Sequence, residues 1–270
     1  MPGDPELLPV FAARRPVDMH LPMTWGDLVS VSTLTPGAAA YLDAAVRARL
    51  TILVTGEART GRTIMLNVLG AATSDSFDNT YAIERLRYLT FHQLLPFASS
   101  VQTTPVVDAS GDRTPVRELV RHLVKMQAER IVADDVIEDA PLEVWELVRR
   151  CHGSMFSLAA PDPRTALGRL VDLVSNQSHP DVDARRTFGR EVTNEVDLVV
   201  HMTQPSDTGA ARVGEIFEVD FSDAGFVAGQ VLYERSRKGE LFWRDRVPAR
   251  TSIAISEGVP HLLRIRDPED

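Results

Sequence analysis

The sequence predicts an α/β protein, a mainly parallel sheet with helices on both faces, followed by a small β-rich C-terminal extension. Three observations predict it. Short apolar runs recur between longer amphipathic ones, at Thr51–Thr55, Arg130–Asp134, Met155–Ala159 and Asp197–Met202. Strands buried on both faces of a parallel sheet read this way, because the crossover helices cover both sides. The first three runs lead into helix start signals, which is the βα alternation that builds such a sheet. After about residue 205 the pattern changes to closely spaced strand-like segments with turns, at Arg212–Val219, Gly225–Glu234 and Glu240–Arg244.

Taken in order, residues 1–23 are proline-rich and read as an extended lead-in. Thr24 caps a short helix over Trp25–Val31, and Thr35-Pro36 starts a longer one reaching about Leu50, with proline at the first helical position. Thr51–Thr55 is a strand ending on Gly56, and a helix runs from Thr63 to about Ala71. Two weaker strand-like segments lie at Tyr81–Thr90 and Gln102–Val107. Thr114-Pro115 opens a helix whose Val116, Leu119, Val120 and Leu123 share one face. Further helices start at Pro141, at Asp162-Pro163 and across Asp181–Thr193. The stretch Thr251–Ile265 is irregular, and the tail with Trp243 among Arg244, Arg246 and Arg250 docks onto the domain or onto a partner. The organisation expected is a lead-in with helices over 1–45, the main domain over 46–205, and the extension and tail over 206–270.

Composition narrows the function classes. The net charge of −9 disfavours a nucleic-acid-binding surface. A single cysteine, Cys151, excludes an internal disulfide, and the N-terminus lacks the basic start and apolar run of a signal peptide. No run approaches the ~18 consecutive apolar residues of a membrane span. A cytoplasmic protein is expected. Cys151-His152 reads as a helix end, since neighbouring helical residues diverge and the other histidines show no ligand spacing.

The motif that carries chemistry is Gly56 to Thr63, GEARTGRT, between a strand and a helix. It matches the phosphate-binding P-loop G-x-x-x-x-G-K-[ST], with Arg62 in place of lysine. Such a loop works through backbone N–H groups at a helix N-terminus, a lysine on the phosphates and a hydroxyl on Mg²⁺. The nucleotide-binding candidates are therefore Gly56, Thr60, Gly61, Arg62 and Thr63. Arginine is planar and bulkier than lysine, and Arg59 sits where close backbone approach to a phosphate favours glycine. Only two of the 29 basic residues are lysines, Lys125 and Lys238, so compositional bias by itself accounts for Arg62.

The order TLTPGAAAYLDAAVRARLTILVTG, the loop, RELVRHLVKMQAERIVADDV and GSMFSLAAPDPRTALGRL resembles the type II/IV secretion and pilus-assembly ATPase family over about residues 17–203. Within it the sequence is most similar to the tight-adherence pilus subgroup of actinobacteria. The resemblance implies a RecA-like P-loop NTPase fold, ATP or ADP with Mg²⁺ as ligands, and work in hexameric rings. Residue by residue, it implies a degenerate site. The lysine position is Arg62, a loop glycine is Arg59, and the acidic box falls on Ala82-Ile83-Glu84 with Arg85 replacing a second acid. The two arginines expected at the γ-phosphate fall on Ser100 and Thr104, the catalytic glutamate on Asp135, and the strand-end histidine on Ala159. Residues 1–23 match only the link that joins the family's separate N-terminal domain to its motor domain, which implies departures in ring assembly and nucleotide capture.

Compositional bias cannot account for the changes at Ser100 and Thr104. Phosphoryl transfer is mostly charge placement, and each preorganised contact removed costs about 10²–10³-fold. Thr63 with Asp134 supplies a hydroxyl and a carboxylate that could hold Mg²⁺; alternatively the Asp134-Asp135 pair merely opens the loop towards Pro141. Two functions are carried forward. One is a pseudo-ATPase acting as a binding or regulatory subunit, partnered by an active ATPase paralogue, a secretion or pilus platform component, or copies of itself, peripheral to the membrane through partners. The other is a slow Mg²⁺-dependent ATPase using Arg62, Asp134 and Asp135.

Overall fold

A computed structural model describes residues 24–74, 78–103, 116–178, 182–204, 209–220, 228–248 and 251. The expected lead-in, Thr104 with the rest of the segment to Val107, the helix start at Thr114-Pro115, and the chain beyond Thr251 lie outside the described residues. The chain order is α1 (Trp25–Ser30), α2 (Pro36–Arg47), β1 (Ile52–Gly56), α3 (Arg62–Ala71), β2 (Thr80–Glu84), β3 (Ala98–Gln102), α4 (Val116–Lys125) and β4 (Arg130–Asp134). It continues with α5 (Pro141–Arg150), β5 (Met155–Ala159), α6 (Pro163–Ser178), α7 (Val182–Glu195), β6 (Leu198–Thr203), β7 (Arg212–Asp220), β8 (Ala228–Arg235) and β9 (Leu241–Trp243).

Local chemistry sets several boundaries. Thr24 and Asp27 form a reciprocal capping box at α1, and Thr35 accepts from the Ala38 amide before Pro36 opens α2. Asp162 accepts from both the amide and the hydroxyl of Thr165 at the start of α6. The strand expected at Gln102–Val107 begins earlier, at Ala98, because pairing with β2 selects the register Thr80↔Ala98 to Glu84↔Gln102. A short weak run carries too little periodicity to locate its own ends.

The sheet has the order β3-β2-β4-β5-β1-β6-β7-β8-β9 among the described residues. The strands from β3 to β6 in that order are parallel, and β7 to β9 continue the same sheet as antiparallel neighbours. Successive β1 residues serve opposite faces. Ile52 and Val54 join one core with Leu28, Leu42 and Leu66 of α1–α3, while Leu53 joins another with Val120, Trp145, Leu167 and Val192 of α4–α7. Side chains in a strand alternate between faces, so a strand buried at all five residues is covered on both.

The extension is held to this body. Thr251 is fully buried; its amide and hydroxyl meet Glu218 at 2.7 Å, and the hydroxyl also lies 2.7 Å from the Tyr41 hydroxyl. Trp243 stacks edge-on against Tyr233 with ring centroids 4.9 Å apart. The chain at Thr251 therefore docks onto the domain itself. No described helix is long and apolar enough to cross a membrane.

Candidate functional site

The C-terminal ends of β1, β4 and β5 form the site. β1 ends on Gly56 at φ +146°, where an added Cβ would lie 2.4 Å from the Met202 carbonyl oxygen. Only glycine tolerates that approach. The turn after it is closed by Thr60, whose hydroxyl donates to the Glu57 carbonyl at 2.8 Å. Gly61 caps α3 in the left-handed region, and a Cβ there would meet the Ala211 side chain at 2.5 Å. Arg59 also adopts a left-handed φ of 67°, a conformation that costs an ordinary side chain roughly 1–2 kcal/mol.

Arg62 folds back over the loop. One guanidinium nitrogen donates to the Gly56 carbonyl at 3.2 Å and another to Asp135 Oδ1 at 2.9 Å, leaving the side chain 11% exposed. Thr63, one residue on, donates to Asp134 Oδ2 at 2.6 Å. The other oxygen of Asp134 accepts from Ser157 at 2.6 Å, and Ser157 in turn accepts the Asp135 amide at 3.0 Å. Burial raises the Asp134 pKa, and the Ser157 and Thr63 hydrogen bonds oppose that rise. The fold thus brings together the loop residues Gly56, Thr60, Gly61, Arg62 and Thr63 and the β4-end acids Asp134 and Asp135.

Three participants were missed or read differently. Ser157 orients Asp134; its signal is a hydroxyl inside the apolar run MFSLA. Arg169 of α6 donates to the Ala159 carbonyl at 2.5 Å and pairs with Glu138 at 2.9 Å, bringing a second cation to the β5 end. Asn67 lies fully buried on α3, where the sequence shows only an apolar stripe with one amide in it. It donates to the Thr63 and Tyr88 carbonyls and accepts from the Thr90 and Phe91 amides, tying the loop helix to the segment after β2.

Glu84, in register with Asp134 on β2, is turned to the same task. One of its oxygens accepts the Tyr88 and Leu89 amides at 2.7 and 2.8 Å, and the other accepts from Ser100 at 3.2 Å. Burial pushes its pKa up to about 7, against the opposing pull of those hydrogen bonds. Because the folded pKa exceeds that of an unfolded glutamate, the folded state holds the extra proton between about 4.5 and 7. Stability contributed by this group is therefore full below pH 4.5 and lost as pH rises to 7. Glu84→Gln keeps an oxygen for the two amides and offers an N–H to Ser100. The expected outcome is a flatter stability-versus-pH profile in urea melts between pH 5 and 8, with the variant the more stable at pH 8.

The oxygen pair of Thr63 and Asp134 suits a hard divalent cation, and their hydrogen bond would be exchanged for metal–oxygen bonds. No described group of three or more His, Cys, Asp or Glu forms a metal cluster.

The sequence matches no protein-family profile and no curated protein. Solved structures do match. The VirB11 ATPase from the Brucella suis type IV secretion system, in complex with sulphate, superposes with a TM-score of 0.51 at 20% identity, over 76% of this chain and 65% of that one. The Yersinia pseudotuberculosis ATPase DotB superposes with a TM-score of 0.52 at 10% identity, over 73% and 49% respectively. This chain thus spans less than two thirds of either protein. It has their fold, a RecA-like P-loop α/β fold.

Proposed function

We propose that this chain is a catalytically degenerate relative of the secretion and pilus-assembly ATPases, acting as a binding or regulatory subunit with weak or no nucleotide binding. The observation that supports it is internal neutralisation of the site. Arg62 is engaged with Gly56 and Asp135, Thr63 with Asp134, and Glu84 with the Tyr88 and Leu89 amides. A phosphate entering the loop has to break the Arg62–Asp135 ion pair and the Gly56 contact before that cation can serve it. The histidine and arginines that the resemblance implies are replaced by Ala159, Ser100 and Thr104. Ser100 instead helps to hold Glu84. Electrostatic placement is most of phosphoryl transfer, so a site whose charges already satisfy one another has little to offer the transition state.

Its partners on this reading are an active ATPase paralogue, a secretion or pilus platform component, or copies of itself, and its place is the cytoplasm, at the membrane only through them. A second reading, a slow Mg²⁺-dependent ATPase, draws on the Thr63–Asp134 pair oriented by Ser157. Those oxygens would hold the metal, and the metal would neutralise phosphate charge.

Calorimetric titration of the full chain with Mg²⁺ and ATP or ADP tests the proposal, alongside phosphate release. The expected outcome is no binding in the micromolar range and no release above that of Asp135→Ala. Micromolar binding, or turnover that Asp135→Ala abolishes, overturns it.

A further inference from the structure

Among the described residues, the outer edge of β3 pairs with no strand. In the β2–β3 ladder the Thr80 amide donates to the Phe97 carbonyl and the Thr103 amide to the Glu84 carbonyl, in the register Thr80↔Ala98 to Glu84↔Gln102. A parallel ladder turns alternate residues towards each neighbour. Ser99 and Val101 therefore face β2, and Ala98, Ser100 and Gln102 direct their backbone groups away from the sheet. The Ala98 amide is taken by the Leu95 carbonyl at 3.5 Å. The Ser100 and Gln102 amides and the three carbonyls remain, and no described strand pairs with them. Sheet edges are ordinarily blunted by lysine, proline, inward charges or bulges. The strand ASSVQ has none of these.

The chain that joins β2 to β3 is apolar and cationic where it meets solvent. Leu86, Tyr88, Leu94 and Phe97 are 57%, 46%, 61% and 51% exposed. From residue 85 to 103 the sequence holds Arg85 and Arg87 and no aspartate or glutamate, in a chain of net charge −9. Arg85 is engaged with Asp139, whereas no salt bridge holds Arg87 among the described residues. Glu84 and Asn67 fix the segment from Tyr88 to Phe91 by buried hydrogen bonds, so this surface is presented by an anchored backbone.

We infer that β3 is a docking edge for an extended, acidic segment of another protein, which adds to the sheet as a tenth strand. The two free amides and three carbonyls supply the main-chain pairing. Alternate side chains of the incoming strand fall on opposite faces, so one row covers exposed apolar groups while acidic residues in the other meet Arg87. Backbone pairing is what a lipid surface cannot provide, and this favours a polypeptide over a membrane. The inference does not depend on whether the phosphate loop binds nucleotide.

The test uses the full chain and two synthetic eight-residue peptides, one alternating valine and glutamate, the other valine and lysine. Amide hydrogen exchange at Ser100 and Gln102 is the readout. The acidic peptide is expected to slow exchange at both amides, with the basic one at least about tenfold weaker. Arg87→Glu is expected to weaken the acidic peptide by roughly tenfold, and Gln102→Pro to abolish protection at Ser100. Arg87 is partly exposed and no described salt bridge holds it, so Arg87→Glu is expected to keep the fold and decides the matter if Gln102→Pro unfolds. Lack of protection at about 1 mM acidic peptide, or equal binding of the basic one, overturns the inference. It is also overturned if phosphatidylserine vesicles bind the protein while the peptide does not, or if the chain alone dimerises with these amides protected.

Discussion

The Arg130→Ala variant is expected to lose about 3–5 kcal/mol of folding free energy, read as a lower urea midpoint at unchanged slope. Arg130 opens β4 at the N-terminal edge of the sheet, and its side chain is 2% exposed. Its guanidinium donates to Asp78 Oδ2 at 3.1 and 3.2 Å and to the Val46 and Gly153 carbonyls at 3.2 and 3.4 Å. One cation thus ties the end of α2, the chain before β2 and the turn before β5. Burial lowers its pKa, and the Asp78 carboxylate works against that. Removing it takes one of two cations from a largely buried carboxylate and a donor from the Gly153 carbonyl, while the Val46 carbonyl keeps the Arg49 amide at 3.1 Å. Asp78 keeps Arg49 at 2.8 Å, which holds the loss within that range. Arg150→Ala is the control: its side chain is 61% exposed in its pair with the similarly open Glu146, and a change within about 0.5 kcal/mol is expected. Equal effects of the two variants would refute the account.

The second large effect is expected at Asn67. Its side chain makes five hydrogen bonds while fully buried, four of them to the segment Tyr88–Phe91. Asn67→Ala leaves the Tyr88 carbonyl and the Thr90 and Phe91 amides without that partner, at about 1–3 kcal/mol for each group left unsatisfied. Partial relaxation of the segment brings the expected total to about 2–4 kcal/mol. The signature is local: amide exchange at Thr90 and Phe91 accelerates more than at Ile131 or Val132 in β4. Uniform acceleration across the sheet would show that Asn67 holds the whole domain rather than this segment.

How far the sequence could be read depends on the range of the interaction. The strands Arg130–Asp134 and Met155–Ala159 were legible to the residue, because a short apolar run, Ile131–Ala133 in one and Met155–Ala159 broken only by Ser157 in the other, is followed by a helix start signal. The phosphate loop was legible because its glycines are demanded by local backbone geometry at Gly56 and Gly61. The weak segment around Tyr81–Thr90 was not: only Thr80–Glu84 is strand, and the chain from Tyr88 to Phe91 is shaped by Asn67 and Glu84 from other elements. Nor could the register of β3 be placed, since it depends on its partner β2.

At the site, sequence identified the residue types and tertiary structure assigned their partners. Arg62 lies 73 positions from Asp135, Thr63 lies 71 from Asp134, and Ser157 lies 23 from Asp134. By itself the sequence determined the βα alternation, the glycine turn and the acids at the end of β4, all set by neighbours along the chain. Only the tertiary structure decided that the guanidinium faces the Asp135 carboxylate, that Glu84 is spent on backbone amides, and that β3 is the end strand among the described residues. Strand order brings distant positions within 3 Å of each other, and hydrogen-bond and ion-pair energies are appreciable only at that range.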